Sequence, residues 1–200
     1  MDIHTSLYEG QLIRLGPIDY DKDPAIESKW THDAEYMRLL DTRPARPVSP
    51  AEMKKKYEAL EKEIEESKNQ FYFTIRLRSD DLQQNDRLVG FARLHDIEWN
   101  HGVSQVVLGL GDPGDRRKGY GSEALKLLVR YAFAELNLYR LSTLIPEYNL
   151  GAQRLFQKAG FVDEVRRRQA LNRDGRFWDL FHVGLLRDEW SGASKEMGDA

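Results

Sequence analysis

A glycine-rich, basic segment in the middle of the chain has the composition of a phosphate-binding turn. It leaves an apolar stretch at Leu108-Gly109-Leu110, passes through Arg116-Arg117-Lys118, and continues as Gly119-Tyr120-Gly121-Ser122. Glycines let a backbone approach a ligand without interference from Cβ atoms, and the free N–H groups of a first helical turn attract anions. The basic side chains add positive charge at the same place. The segment therefore predicts a pyrophosphate-binding turn between a strand and a helix.

Two well-known phosphate motifs do not fit this segment. A P-loop requires Gly, four residues and then Gly-Lys-Ser/Thr, and here Tyr120 stands where the lysine should be. A Rossmann fingerprint requires an acidic residue at the end of a following strand to bind a ribose, and no acidic residue is so placed. The segment is therefore either an anion-binding turn of another kind or an ordinary strand-to-helix connection.

Three segments resemble the GNAT superfamily of acyl-CoA-dependent N-acetyltransferases. Arg116-x-x-Gly119-x-Gly121 matches that family's (Gln/Arg)-x-x-Gly-x-(Gly/Ala) signature. Residues 145–161, from Ile145 to a terminal Gly-Phe, are similar to its strand, asparagine and short helix. Residues 173–190 resemble the C-terminal hairpin of the RimJ/RimL-like subgroup, which includes ribosomal-protein N-terminal acetyltransferases. The three occur in the family's order, so the chain is identified as a member, with residues 88–190 resembling it well.

The resemblance implies acetyl-CoA as cosubstrate and no metal. The residues expected to bind it are Leu108, Gly109, Leu110, Arg116, Arg117, Lys118, Gly119, Tyr120, Gly121, Ser122, Asn149, Ala152 and Phe156. The pantetheine arm is similar to a peptide, and we expect it to pair with the strand edge at residues 108–110. The N–H group of Leu110 is the expected donor to the thioester carbonyl. Gly109 is either a bulge position or a packing glycine.

The residues at the positions of the family's general acid and general base differ from the usual ones. Phe156 stands where many family members have a tyrosine that protonates the leaving thiolate, and Gln105 stands where the subgroup often has a glutamate. Tyr148 is a candidate acid, although an alkyl thiolate with a pKa of about 8.5 can also leave unassisted. Glu98 is the first candidate for the base and His95 the second.

The acceptor is expected to be a primary amine in a pocket formed by Trp30, Tyr36, His95 and Trp99. The missing acid and weak base favour an α-amine or a small amine of lowered pKa, since a group with a pKa of about 8 is roughly one tenth neutral at pH 7. A protein or peptide N-terminus and a small molecule such as a polyamine, an amino acid or an aminated antibiotic both remain open. The alternative from another class is an acyl-CoA-binding module without catalysis.

Composition bounds the remaining possibilities. The 200 residues, 40% hydrophobic and 32% charged, fit one compact domain, and a net charge of −3 indicates neither a nucleic acid nor a membrane as partner. The absence of cysteine excludes disulfides and thiolate zinc sites, and the five histidines lack metal-ligand spacing. No apolar run is long enough to span a membrane. The default location is cytoplasmic, and the chain is expected to be a monomer or homodimer.

The order of the expected strands and helices predicts an α/β (α+β) fold. We expect a GNAT-like domain over residues 1–190 and a mobile tail over residues 191–200. Strands are expected at residues 11–15, 71–78, 88–94, 103–110, 139–145, 162–171 and 176–186, and helices within 23–40 and at 50–68, 122–136 and 150–159. The expected sheet is central, mixed and mostly antiparallel, with six or seven strands and helices on both faces. The resemblance implies that strands 103–110 and 139–145 run parallel and then separate, leaving a slot for the pantetheine arm.

Overall fold

The computed structural model describes residues 6–79, 81 and 85–190. Within these residues lies one sheet in the order β1-β2-β3-β4-β5-β7-β6. Its strands are β1 (Ile13–Gly16), β2 (Phe71–Leu77), β3 (Leu88–Glu98), β4 (Val103–Leu110), β5 (Arg140–Pro146), β6 (Val162–Arg173) and β7 (Arg176–Leu186). All neighbouring strands are antiparallel except β4 and β5, which confirms the predicted mixed sheet. The tail predicted at residues 191–200 lies outside the described residues.

Five α-helices lie among the described residues, and three of them begin at a capping side chain. The five are α1 (Asp23–Trp30), α2 (Ala34–Leu40), α3 (Pro50–Ser67), α4 (Tyr120–Arg130) and α5 (Leu150–Lys158). The Ser49 side chain accepts a hydrogen bond from the Glu52 N–H at the start of α3, and Asn149 accepts one from Ala152 at the start of α5. A single π-helical turn over residues 131–135 continues α4.

The two faces of β2 show how the helices divide between the sides of the sheet. Phe73 and Ile75 belong to the main core, which also contains the apolar face of α4. Tyr72 packs against α3, and the Arg76 guanidinium forms a buried ion pair with Asp23 of α1 at 2.6 Å. Because side chains alternate along a strand, α4 covers one face of the sheet while α1 and α3 cover the other. The expectation of helices on both faces is confirmed.

A slot opens where β4 and β5 stop pairing. The parallel pairing is confined to residues 103–105 of β4 and residues 140–142 of β5. Beyond these, β5 continues to pair with β7 on its other side, whereas the second half of β4 pairs with β3 alone among the described strands. Backbone groups of residues 106–110 on the β5 side of β4 therefore have no strand partner in the described part of the chain, as the resemblance implied.

Gly109 is a packing glycine in regular pairing with Phe91. A Cβ atom at this position would lie 3.0 Å from Phe91 Cε1 and 3.1 Å from Leu40 Cδ1, so little space exists for a side chain. The irregularity in this strand pair lies instead in β3 between His95 and Glu98, where Asp96 has a φ of 51°. The bulge interpretation of Gly109 is therefore wrong.

Candidate active site

The turn between β4 and α4 presents unpaired backbone donors. Gly119 adopts a φ of +91°, a left-handed conformation that favours glycine, and α4 begins at the next residue. The N–H groups of residues 119–122 donate no hydrogen bond to any group in the described part of the chain. They lie at the positive end of the α4 dipole. This arrangement suits an anionic ligand such as a pyrophosphate.

A buried ion pair fixes the first part of this turn. Asp115 is 3% exposed, and Arg87 donates two hydrogen bonds to its carboxylate at 2.7 and 2.8 Å. These hydrogen bonds hold the pKa of Asp115 below its ordinary value of 3.8. The Lys118 ammonium lies 3.7 Å from the same carboxylate. Asp115 thus fastens the turn to the start of β3 and leaves Lys118 at its surface.

The two arginines of the turn differ in their surroundings. Arg116 lies 3.4 Å from the Glu35 carboxylate, an ion pair that joins the turn to α2. Arg117 is exposed, has a φ of 62° and makes no ion pair among the described residues. Arg117 is therefore the better placed of the two to meet a phosphate, since Arg116 already has an anionic partner.

The open edge of β4 supplies donors and acceptors to the slot. The Gly111 N–H donates to the Val89 carbonyl at 3.0 Å, which fixes the side to which each residue of β4 directs its polar groups. Because this direction alternates, Leu108 and Leu110 direct their N–H and C=O groups toward the slot, and Gly109 directs its own toward β3. The structure therefore does not bring the backbone of Gly109 to the slot. The space beside Gly121 borders Leu108 and Leu110.

The first residues of α5 join it to α2. The Tyr148 hydroxyl donates to the Arg38 carbonyl at 3.0 Å, and its ring packs edge-on against Trp178. The Asn149 side chain both caps α5 and donates to the Leu39 carbonyl at 2.9 Å. Both side chains therefore hold the end of α2 in place beside the slot.

Phe156 is turned into the core. It is 5% exposed and packs edge-on against Phe161, with ring centroids 5.0 Å apart. Ala152 packs against the same core from a partly buried position. On α5, Leu155 rather than Phe156 lies beside Gly121, with its Cδ2 atom 3.7 Å from the position of a Cβ there. Phe156 therefore packs α5 against the core of the domain.

A cavity of about 600 Å³ lies on the opposite face of the sheet and reaches the slot. Its walls come from α1, α2, α3 and the loop after α2, and its floor from β2 to β5. Tyr36 and His95, both predicted to contact the acceptor, line it. At the slot, Gln105 and Val107 of β4 and Thr143 of β5 form its edge.

Three other predicted site residues lie elsewhere. Trp30 packs over Gly111, where a Cβ atom would fall 1.9 Å from its ring. Trp99 is 49% exposed and donates its indole N–H to the Lys68 carbonyl. Glu98 is exposed and pairs with Val103 at the first residue of β4, the end remote from the slot. The structure does not bring Glu98 or Trp99 to the cavity.

His95 has the surroundings of a proton acceptor. Its Nδ1 atom lies 3.0 Å from Asp96 Oδ2, and the Nε2 atom makes no hydrogen bond among the described residues. Burial is the main cause that lowers the pKa of His95 below 6.5. We assign the proton of the neutral ring to Nδ1 because the carboxylate accepts it there, which leaves the Nε2 lone pair free.

A carboxylate surrounded by tyrosines forms the far wall of the cavity. Tyr57 and Tyr72 both donate their hydroxyls to Glu27 Oε2, the latter at 3.3 Å. Burial raises the pKa of Glu27. Tyr36 is 3% exposed, and its hydroxyl has no hydrogen-bond partner within the described ranges of the chain. Sequence reasoning missed Glu27, Tyr57 and Tyr72; a usable signal was the apolar pair Met53 and Tyr57, one turn apart on a charged helix.

Residues 13–162 match the family model described as an acetyltransferase (GNAT) domain. The chain belongs to the GNAT acetyltransferase family. It is 29% identical to the uncharacterized N-acetyltransferase YnaD of Bacillus subtilis strain 168 over 110 residues, 55% of this chain and 64% of that protein. The chain thus spans less than two thirds of the length of this relative. Other relatives from the same organism also carry the name N-acetyltransferase.

Solved structures show the same GNAT fold. A spermidine N-acetyltransferase from Vibrio cholerae, in complex with CoA and spermine, superposes with a TM-score of 0.73 at 18% identity, covering 90% of this chain and 98% of that chain. RimL, a ribosomal L7/L12 α-N-protein acetyltransferase in complex with coenzyme A, gives 0.75 at 14% identity, covering 90% and 97%. Their acceptors differ, so the likeness establishes the fold of this GNAT domain.

The described residues of the GNAT domain form no helix that is both long and apolar enough to cross a membrane. They also contain no cluster of three or more histidine, aspartate or glutamate side chains arranged to hold a metal ion.

Proposed function

We propose that this GNAT acetyltransferase transfers the acetyl group of acetyl-CoA directly to a primary amine while both substrates are bound. One observation carries the proposal: the slot between β4 and β5 meets the unpaired N–H groups of residues 119–122 at one end and the cavity containing His95 on the other face of the sheet. An anionic cosubstrate and an acceptor can thus approach the same slot from different sides.

The residues present fit acetyl-CoA, which supplies the activated acetyl group when bound. The N–H groups of residues 119–122, with Arg117 and Lys118, would hold the pyrophosphate. Backbone groups of Leu108 and Leu110 would pair with the pantetheine arm. The Leu110 N–H would donate to the thioester carbonyl and stabilise the negative charge that develops on its oxygen.

We assign the base to His95. Its Nε2 atom would take the proton that the amine releases on attack, and Asp96 would stabilise the resulting positive ring. Glu98 lies at the end of β4 remote from the slot, so the base is not assigned to it. Phe156 has no proton to give, and the Tyr148 hydroxyl already donates to a carbonyl. The thiolate therefore leaves without a dedicated acid.

The test is acetyl-CoA-dependent thiol release against peptides with free N-termini, polyamines, amino acids and aminoglycosides, with the thermal shift caused by acetyl-CoA measured alongside. Turnover with one acceptor class supports the proposal and names the acceptor. A thermal shift without turnover on any amine supports the acyl-CoA-binding module instead. The cytoplasmic location and the monomeric or dimeric state stay predictions.

A further inference from the structure

We propose that Glu27 forms a second amine-binding subsite in the cavity, which takes one ammonium group of the acceptor while another amine of the same molecule is acetylated at the slot. The acceptor is then a primary amine that carries a second amino group. This inference rests on the proposed function, since it describes the acceptor side of the same site.

The Glu27 carboxylate has an unused oxygen. Its Oε2 atom accepts the hydroxyls of Tyr57 and Tyr72, whereas Oε1 accepts no hydrogen bond and Glu27 makes no ion pair among the described residues. A largely buried carboxylate without a cation is costly, and the raised pKa of Glu27 reflects that cost. A ligand ammonium at Oε1 would supply the missing positive charge.

Tyr36 gives a second, independent indication of a ligand. Its hydroxyl is buried, lines the same cavity and has no partner, which is unusual for a buried polar group. The ring of Tyr72 is stacked on Phe91 at 5.4 Å with a 9° angle between the planes, and both rings line the cavity. A carboxylate, a hydroxyl oxygen and aromatic surfaces together suit an ammonium group.

The other charged side chains of the cavity have different surroundings. Asp41 pairs with Arg43, Lys56 and Glu63 are exposed, and Arg93 donates to the neutral Gln70 amide while its buried Nε atom has no partner among the described residues. Among the carboxylates that line the cavity, Glu27 is thus the one that is neither exposed nor within 4.0 Å of a cation in the described structure. One additional cation would compensate it, so one remote amino group is expected.

The register of the sheet places Tyr72, whose hydroxyl donates to Glu27, two strands away from the slot. Tyr72 of β2 pairs with Arg93 of β3, which pairs with Val107 of β4 at the slot. Two strand spacings separate the Cα atoms of Tyr72 and Val107, or about 10 Å. An acceptor with a length of this order suits the cavity, such as an α,ω-diamine with a flexible apolar chain or a peptide whose α-amine is followed by lysine.

The experiment compares matched acceptors at saturating acetyl-CoA. One pair is the seven-carbon α,ω-diamine and heptylamine; the other is a tripeptide with lysine in second position and its norleucine analogue. We expect kcat/KM to be about tenfold higher for the member with the second amino group, as a charge-assisted hydrogen bond would give. The pair with the larger ratio identifies the source of the second amine as a free diamine or a peptide.

Variants test whether the preference for the acceptor with a second amino group arises at Glu27. Glu27→Gln should reduce the ratio to about one, and Tyr36→Phe, which removes a hydroxyl without a partner, should lower it. Glu58→Gln makes the same charge change at an exposed position of α3 and should leave the ratio unchanged. A ratio near one in the unmodified protein, or a ratio that persists in Glu27→Gln, overturns the subsite. If Glu27→Gln does not fold, an unchanged ratio in Tyr36→Phe overturns it.

A binding readout keeps the subsite distinct from the proposed function. Turnover of heptylamine without preference for the diamine overturns the subsite alone. If no amine is acetylated, the proposed function fails, and thermal shifts by the two amines in the presence of acetyl-CoA decide the subsite. A larger shift by the diamine that Glu27→Gln removes supports it, and equal shifts overturn it.

Discussion

At the residue scale, the two candidate bases of β3, His95 and Glu98, lie three positions apart in the chain. Of these two, His95 is the one beside the proposed reaction site. His95 lies opposite Gln105, next to the slot, whereas Glu98 lies opposite Val103. The bulge between them places Asp96 in a left-handed conformation with its carboxylate beside the His95 ring. Bulges commonly re-aim side chains next to active sites, and this one gives His95 the partner that fixes its tautomer.

His95→Gln is expected to lower kcat about a hundredfold, the usual contribution of a general base. Because burial lowers the pKa of His95, its ring is neutral above a pH that lies below 6.5, and kcat in the unmodified protein should rise through that pKa and then level off. The variant should lack this acid limb. The measurement is kcat against pH with both substrates saturating, and an acid limb that survives in His95→Gln would place the base elsewhere.

The Asp96→Asn variant tests whether Asp96 positions the His95 ring without itself taking part in proton transfer. The Asp96 side chain is 67% exposed, so its charge is well solvated and its loss should lower kcat by less than the loss of His95 does. The acid limb should remain and move to lower pH, because the carboxylate that favours the charged ring is gone. An acid limb that stays at the same pH would show that Asp96 does not act on His95.

At the element scale, the two glycines of the proposed phosphate-binding turn differ in how well their positions tolerate a side chain. Gly119→Ala should destabilise the fold by about 1–3 kcal/mol and weaken the thermal shift by acetyl-CoA, since its φ of +91° disfavours a side chain. Gly121→Ala lies in the first turn of α4, where its Cβ would make ordinary contacts of 3.6 Å or more, and should keep both stability and binding. Equal losses in the two variants would contradict this account.

The hairpin of β6 and β7 contacts the loop after α2, which forms part of the cavity wall. Arg173 donates to the carbonyl groups of Thr42 and Arg43 at 2.7 and 2.8 Å, in the loop that follows α2. Arg173→Ala should therefore raise the acceptor KM several-fold and leave the thermal shift by acetyl-CoA unchanged. Arg167→Ala removes an exposed arginine of β6 as the control. A loss confined to acetyl-CoA binding would contradict this role of the hairpin.

Element boundaries were predictable where local signals mark them. Ser49, Asn149 and Gly160 begin or end helices where the sequence predicts, because caps act through neighbouring backbone groups. The strand expected at residues 88–94 continues to Glu98, since the bulge at Asp96 interrupts the alternation without ending the pairing. The π-helical turn at the end of α4 has no local signal that distinguishes it from helix.

At the scale of the whole molecule, the two sides of the site differ in how far their residues lie apart in the chain. The proposed phosphate-binding side consists of consecutive residues from Leu108 to Ser122, so its motif is visible in the sequence. The proposed acceptor side brings Glu27 of α1 to Tyr57 of α3 and Tyr72 of β2. Such contacts depend on packing across the sheet, and no spacing in the chain indicates them.

The ion pair of Asp115 and Arg87 couples this turn to the stability of the sheet. Asp115→Asn should lower the free energy of unfolding by about 1–3 kcal/mol at pH 7, the cost of a poorly satisfied buried group. Since the folded-state pKa of Asp115 is below 3.8, the ionised carboxylate stabilises the fold above about pH 4, and this contribution is lost as the pH falls through that pKa. The difference between the two proteins should therefore shrink at pH 3. Urea unfolding at both pH values measures it, with Asp163→Asn, an exposed carboxylate, as the control. A difference of equal size at both pH values would mean that Asp115 acts through packing rather than charge.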